Sequence, residues 1–155
     1  MKVKKTLITL SLIMTALLHF SSYLLYIRYG VELSVFLSAW LMLLALLTIP
    51  FVQLKTMNSI NSDFFYKSWP AKNKIMILVL VIYTAMIFQS SIYLLGDESI
   101  EEKSFGYVRY SRASYIGEAA FQDFKIYRQR VTRMITAMLM PIFYVIYNLE
   151  KWNKK

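Results

Sequence analysis

Residues 75–95 read IMILVLVIYTAMIFQSSIYLL, and this run decides the fold class: it holds no charged side chain, Lys74 precedes it and Asp97 follows two residues later. Crossing ~30 Å of hydrocarbon at ~1.5 Å per residue takes about 20 mainly apolar residues in a helix. The run meets that length. Two more do the same. Thr6–Ile27 is charge-free between Lys2, Lys4 and Lys5 on one side and Arg28 on the other, and Leu33–Val52 is charge-free throughout. A fourth, Met134–Leu149, is short for a span and contains Pro141. Arg133 and Lys151 at its ends extend it if their long stems reach back along the apolar surface with the charges in water.

The whole composition agrees. The chain is 57% hydrophobic and 17% charged, an apolar share above that of a soluble domain. Its charges sit between the long runs instead of alternating along them. A net charge of +9 would point to nucleic acid in a soluble protein, but basic residues at the ends of apolar runs are set by topology, so no nucleic-acid partner is expected. The sequence therefore predicts an all-α integral membrane protein, a four-helix transmembrane bundle in one domain spanning 1–155. Its spans are 6–27, 33–52, 75–95 and 134–149, with a cytoplasmic loop over 53–74 and a partly helical extracytoplasmic loop over 96–133.

A lysine-rich start before an apolar run also fits a signal peptide. This run is longer than an ordinary signal core and no A-x-A-like site closes it, so an uncleaved first span is expected. The link Arg28-Tyr29-Gly30-Val31-Glu32 makes the first two helices antiparallel neighbours, with Gly30 permitting the reversal. Orientation follows from Lys and Arg in alternate loops. With both termini in the cytoplasm, the inner side carries Lys2, Lys4, Lys5, Lys55, Lys67, Lys72, Lys74, Lys151, Lys154 and Lys155 against Asp63 and Glu150. The outer side is nearly balanced. The expected location is thus a bacterial cytoplasmic membrane, even though Lys125, Arg128, Arg130 and Arg133 crowd the outer approach to the fourth span. Tyr23, Tyr26, Tyr29, Trp69, Tyr147 and Trp152 read as interfacial anchors. Within the inner loop, Phe64-Phe65-Tyr66 suits a short interfacial helix or an ordinary positive-inside loop.

The outer loop is the expected place for a specific partner. Asp97 and Glu101 would share one helical face, as would Glu98 and Glu102, yet the spacing and glycine of a calcium loop are missing, so a solvated acidic turn is the reading. From Ser114, apolar residues recur at three- and four-residue steps: Ile116, Ala120, Phe124, Tyr127, Val131 and Met134. That period predicts one long helix running into the fourth span, with Ser114 as N-cap and Glu118 near its positive end. Arg109, Arg112, Phe124, Tyr127 and Arg128 are the candidate partner-binding residues on this loop.

Polar groups inside spans point to function or to helix-helix contacts. No Asp, Glu, Lys or Arg lies within the first three runs, which removes a proton relay and a charged substrate site. His19 is expected to meet Gln89 or Ser90 across the bundle, while Ser11 with Thr15 and Ser34 with Ser38 suit close helix packing. The catalytic inventory is thin: one histidine, no cysteine, no glycine-rich phosphate loop, no nucleophile elbow and no His-carboxylate cluster. No catalytic residue, cofactor or metal is expected. In length and span count the chain is similar to small multidrug transporters, but the membrane glutamate on which that family depends has no counterpart in 6–27. In span number, size and charge bias it resembles immunity proteins against pore-forming bacteriocins and small superinfection-exclusion proteins. That resemblance implies a non-enzymatic protein whose partners are membrane lipid and another membrane protein or membrane-active toxin; an accessory subunit of a transporter or envelope complex is the alternative, with a membrane enzyme or carrier behind it.

Overall fold

The computed structural model describes residues 2–56, 70–96 and 98–152. Its elements are α1 (Lys2–Leu24), α2 (Gly30–Thr56), α3 (Ala71–Leu95), β1 (Glu98–Lys103), β2 (Gly106–Ser111), β3 (Ser114–Ala119) and α4 (Phe121–Trp152). Segments Thr6–Leu24, Ala71–Tyr93 and Phe121–Asn148 are long and apolar enough to cross a membrane, whereas the described apolar part of α2, Gly30–Leu46, is shorter. Asp97, Phe64–Tyr66 and Trp69 lie outside the described residues.

The sheet overturns the all-α expectation. β1, β2 and β3 form an antiparallel meander in that order, with Lys103 paired to Gly106 across the first turn and Ser111 to Ser114 across the second. Ser114 opens β3 and caps no helix, so Ile116 and Ala120 leave the expected helical face and α4 begins only at Phe121. The remaining apolar series, Phe124 to Met134, is helical as read. Asp123 now stands in the first turn of α4, where a negative charge meets the positive end of the helix dipole. The acidic stretch is extended too. Glu98 and Glu102 still share a face, because both are an even number of residues apart on a strand, but Glu101 points to the other.

α4 is the hub: α1, α2 and α3 each pack on it, and α1 also meets α2. The core around it joins Ile8 and Leu18 of α1, Leu37, Leu41 and Leu44 of α2, and Leu139, Phe143 and Ile146 of α4. α1 reverses into α2 hard against α4, where a side chain on Gly30 would stand 3.0 Å from Thr132 Oγ1. The short link fits because Gly30 leaves room for the Thr132 side chain of α4. Ser11, Thr15, Ser34 and Ser38 each hydrogen-bond a carbonyl of their own helix, which hides their hydroxyls and leaves small surfaces at the seams. Trp40 Nε1 also donates to Ser11 Oγ at 3.0 Å, tying α2 to α1.

Candidate functional site

α3 is held to the hub by polar contacts. His19, fully buried, lies with Nδ1 2.9 Å from Thr136 Oγ1 and Nε2 2.6 Å from Tyr83 Oη. Thr136 has one proton and donates it to the Thr132 carbonyl at 2.7 Å, so its oxygen accepts from Nδ1–H. That assigns the tautomer: Nε2 is bare and accepts from the Tyr83 hydroxyl, which lies 3.3 Å from Tyr23 Oη. One imidazole therefore pins α1, α3 and α4 together with every partner satisfied. The expected contact to Gln89 or Ser90 is not formed. Ser90 donates to the Ile87 carbonyl of its own helix, and Gln89 lines an apolar groove of about 720 Å³ between α3 and α4, beside Phe88, Met138 and Pro141. Helical register explains the miss: α3 runs antiparallel to α4, and the level of Thr136 falls at Tyr83, about one and a half turns before Gln89.

Pro141 sits inside α4 without breaking it. Proline removes the amide that would bond the carbonyl four residues earlier, here that of Ala137, and Thr84 of α3 places Oγ1 2.8 Å from the Ala137 oxygen and 2.7 Å from its own Leu80 carbonyl, so its one proton is shared between the two. Asn73 completes the seam at the far end, donating to Asn148 Oδ1 at 2.9 Å. Thr84→Val removes that shared contact and is expected to lower the stability of purified protein in detergent by about 0.6 kcal/mol. In a Pro141→Ala background the amide returns and the cost of Thr84→Val shrinks toward zero. Equal costs in the two backgrounds, measured by denaturant titration, would refute the pairing.

At the other end, the sheet is braced onto the first turns of α4. Arg109 Nη2 is 3.0 Å from Asp123 Oδ2, and its Nε is 3.6 Å from Glu98 Oε2. Tyr107 stacks on Phe124 at 4.7 Å and on Phe121 at 5.3 Å between ring centroids. Arg128 pairs with Glu32 at the head of α2 and donates to the Arg28 carbonyl at 3.2 Å. Lys125 caps the Phe121 ring at 4.7 Å. Of the residues expected on a partner surface, Phe124 packs inward, while Arg109 and Arg128 form ion pairs and stay partly exposed. Phe124 is only 5% exposed. Tyr127 lines a crevice, and Arg112 stands exposed in the β2–β3 turn with φ 48°.

That crevice, about 490 Å³, opens between β1, the α1–α2 turn and α4. Arg28 and Arg128 come to it from the helices, Glu101 and Glu102 from β1, and Tyr26 and Tyr127 from α1's end and α4. Glu101 also bonds Lys103 at 2.6 Å, which holds the lysine amine above its ordinary range. Among the described residues no group of three His, Cys, Asp or Glu could hold a metal ion.

The two edges of the sheet differ. β1 carries Glu98, Glu101, Glu102 and Lys103 in six residues, charges of the kind that deter strand addition. β3, Ser-Tyr-Ile-Gly-Glu-Ala, carries only Glu118, and its Tyr115 and Ile116 are 62% and 50% exposed. Neither residue stood among the sequence candidates, since Ile116 fitted the helical period. Gly117, a helix breaker in the middle of that supposed helix, was the available signal. Comparison of the chain with family models, with curated proteins and with solved structures finds no match.

Proposed function

We propose that this is a multi-pass protein of a bacterial cytoplasmic membrane, both termini cytoplasmic, that acts by binding a second membrane protein or membrane-inserting agent and not by catalysis. The observation that carries this reading is the open edge of β3. An edge strand presents unpaired N–H and C=O groups, and proteins normally blunt such edges with charge, proline or cover. β1 is blunted by charge; β3 offers Tyr115 and Ile116 beside a ladder that no described strand pairs, on a sheet fixed to α4 by the Arg109–Asp123 pair and stacked rings. An extended segment of a partner that pairs with β3 gains backbone hydrogen bonds, and alternate side chains find Tyr115 or Ile116. The charge tally supports putting this sheet on the outer side, where an immunity or exclusion protein would meet an intruder before its pore opens.

The test is photo-crosslinking in intact membranes with a reactive amino acid at Ile116. A discrete protein adduct is expected from Ile116, none from the apolar helix face at Leu17, and loss of the adduct when Tyr115→Lys places a charge on the edge. Only monomer or lipid adducts from Ile116 would end the proposal.

A further inference from the structure

We propose that the crevice beneath β1 binds a phosphate-amine zwitterion, supplied by the head group of a phosphoethanolamine-type phospholipid. Its walls are dipolar. The helical side brings Arg28 and Arg128, the latter paired with Glu32, the strand side Glu102 and Glu101, the latter paired with Lys103, and Tyr26, Tyr29 and Tyr127 lie between, so Arg28 and Glu102 carry the charges left over. A ligand of one sign would meet repulsion on one wall. A ligand with an anionic phosphodiester and a cationic amine a few bonds apart meets attraction on both.

Each half of such a ligand has chemistry to receive it. Arg128 is bound at Nη2 by Glu32 and the Arg28 carbonyl, while its Nε is buried with no hydrogen-bond partner among the described residues. Glu32 takes Nη2, and the part of the Arg128 side chain that stays exposed lines the crevice, where phosphate oxygens meet its charge. Arg28, over the Tyr29 ring at 5.7 Å, adds a second, exposed cation. On the other wall a primary ammonium can donate to Glu102 while tyrosine faces attract its charge. A quaternary choline can use the rings but donates no hydrogen bond, so the site discriminates ethanolamine from choline. The crevice also lies where α1 turns into α2, at the depth of head groups if α1 spans the membrane. The inference rests on that membrane placement and is independent of the β3 partner.

Native mass spectrometry of the full chain, released from micelles doped equally with phosphatidylethanolamine, phosphatidylcholine and phosphatidylglycerol, tests it. One retained phosphatidylethanolamine is expected, in about tenfold preference over the other two. Arg28→Gln and Glu102→Gln, each on the rim and outside the braces, are each expected to cut that retention about tenfold. A second arm adds soluble phosphoethanolamine. Displacement shows the head group suffices, and retention against it shows the acyl chains contribute; both leave the zwitterion as ligand and assign its source. Equal retention of the three lipids, preference for phosphatidylglycerol, or indifference to both substitutions overturns the proposal. Tyr115→Lys should leave retention unchanged, so a failure here and a failure of the β3 reading are separable.

Discussion

Phe124→Ala is expected to release the sheet from α4 while the apolar helices stay assembled. The ring is 5% exposed and stacked under Tyr107, on the first turns of α4 next to the Arg109–Asp123 pair. Truncating a buried phenylalanine costs about 3 kcal/mol through lost burial and the void that remains. The flanking ion pairs cannot make up for it, because Arg109 and Asp123 are each more than a third exposed and such pairs contribute at most about 1 kcal/mol. A loss of about 3 kcal/mol raises the undocked fraction on the order of a hundredfold, which trypsin can read. Arg109, in the central strand, should become cleavable at a rate on the order of a hundred times the parent's, whereas Tyr115→Ala on the exposed edge should leave that rate unchanged. Continued protection of Arg109 in Phe124→Ala would show that the sheet holds itself and that this ring faces a partner after all.

The helices were legible because hydrocarbon length is a local property: a charge-free run bounded by lysine or arginine needs no knowledge of its neighbours. The sheet was not, for two local reasons. Its second turn is built from Arg112 and Ala113 at φ 48° and 66°, positions that hairpins usually give to asparagine or glycine, so no turn signal marks it. Ile116, Ala120 and Phe124 then happen to fall on a four-residue step, which extended the helical reading backwards across β3. The polar seam was illegible for a different reason. His19 was recognisable as a group needing partners, but Tyr83 and Thr136 are 64 and 117 residues away, and only the antiparallel register of α3 on α4 decides which polar residues meet it. Pro141, a weakness in the fourth run when read alone, is met by a threonine hydroxyl from another helix that also bonds its own Leu80 carbonyl.

Phe143→Ala, in turn, should loosen the helices without touching the sheet. Phe143 is fully buried where Leu37, Leu41 and Leu44 of α2 and Ile8 and Leu18 of α1 converge on α4. If lipid surrounds these helices, moving the ring from lipid to protein gains little by transfer, since acyl chains are as apolar as leucine; what holds the seam is close packing. Removing the ring leaves a void of ~100 Å³, and at ~24 cal/mol per Å³ that costs about 2–3 kcal/mol. Ile142, next along α4 and 45% exposed, is the control: lipid or detergent fills the space left by Ile142→Ala, and the loss should stay under about 0.5 kcal/mol. The contrast is read by denaturant titration in mixed micelles, with trypsin cleavage at Arg109 followed in parallel. Equal losses at 142 and 143 would mean that close packing around Phe143 does not hold the seam.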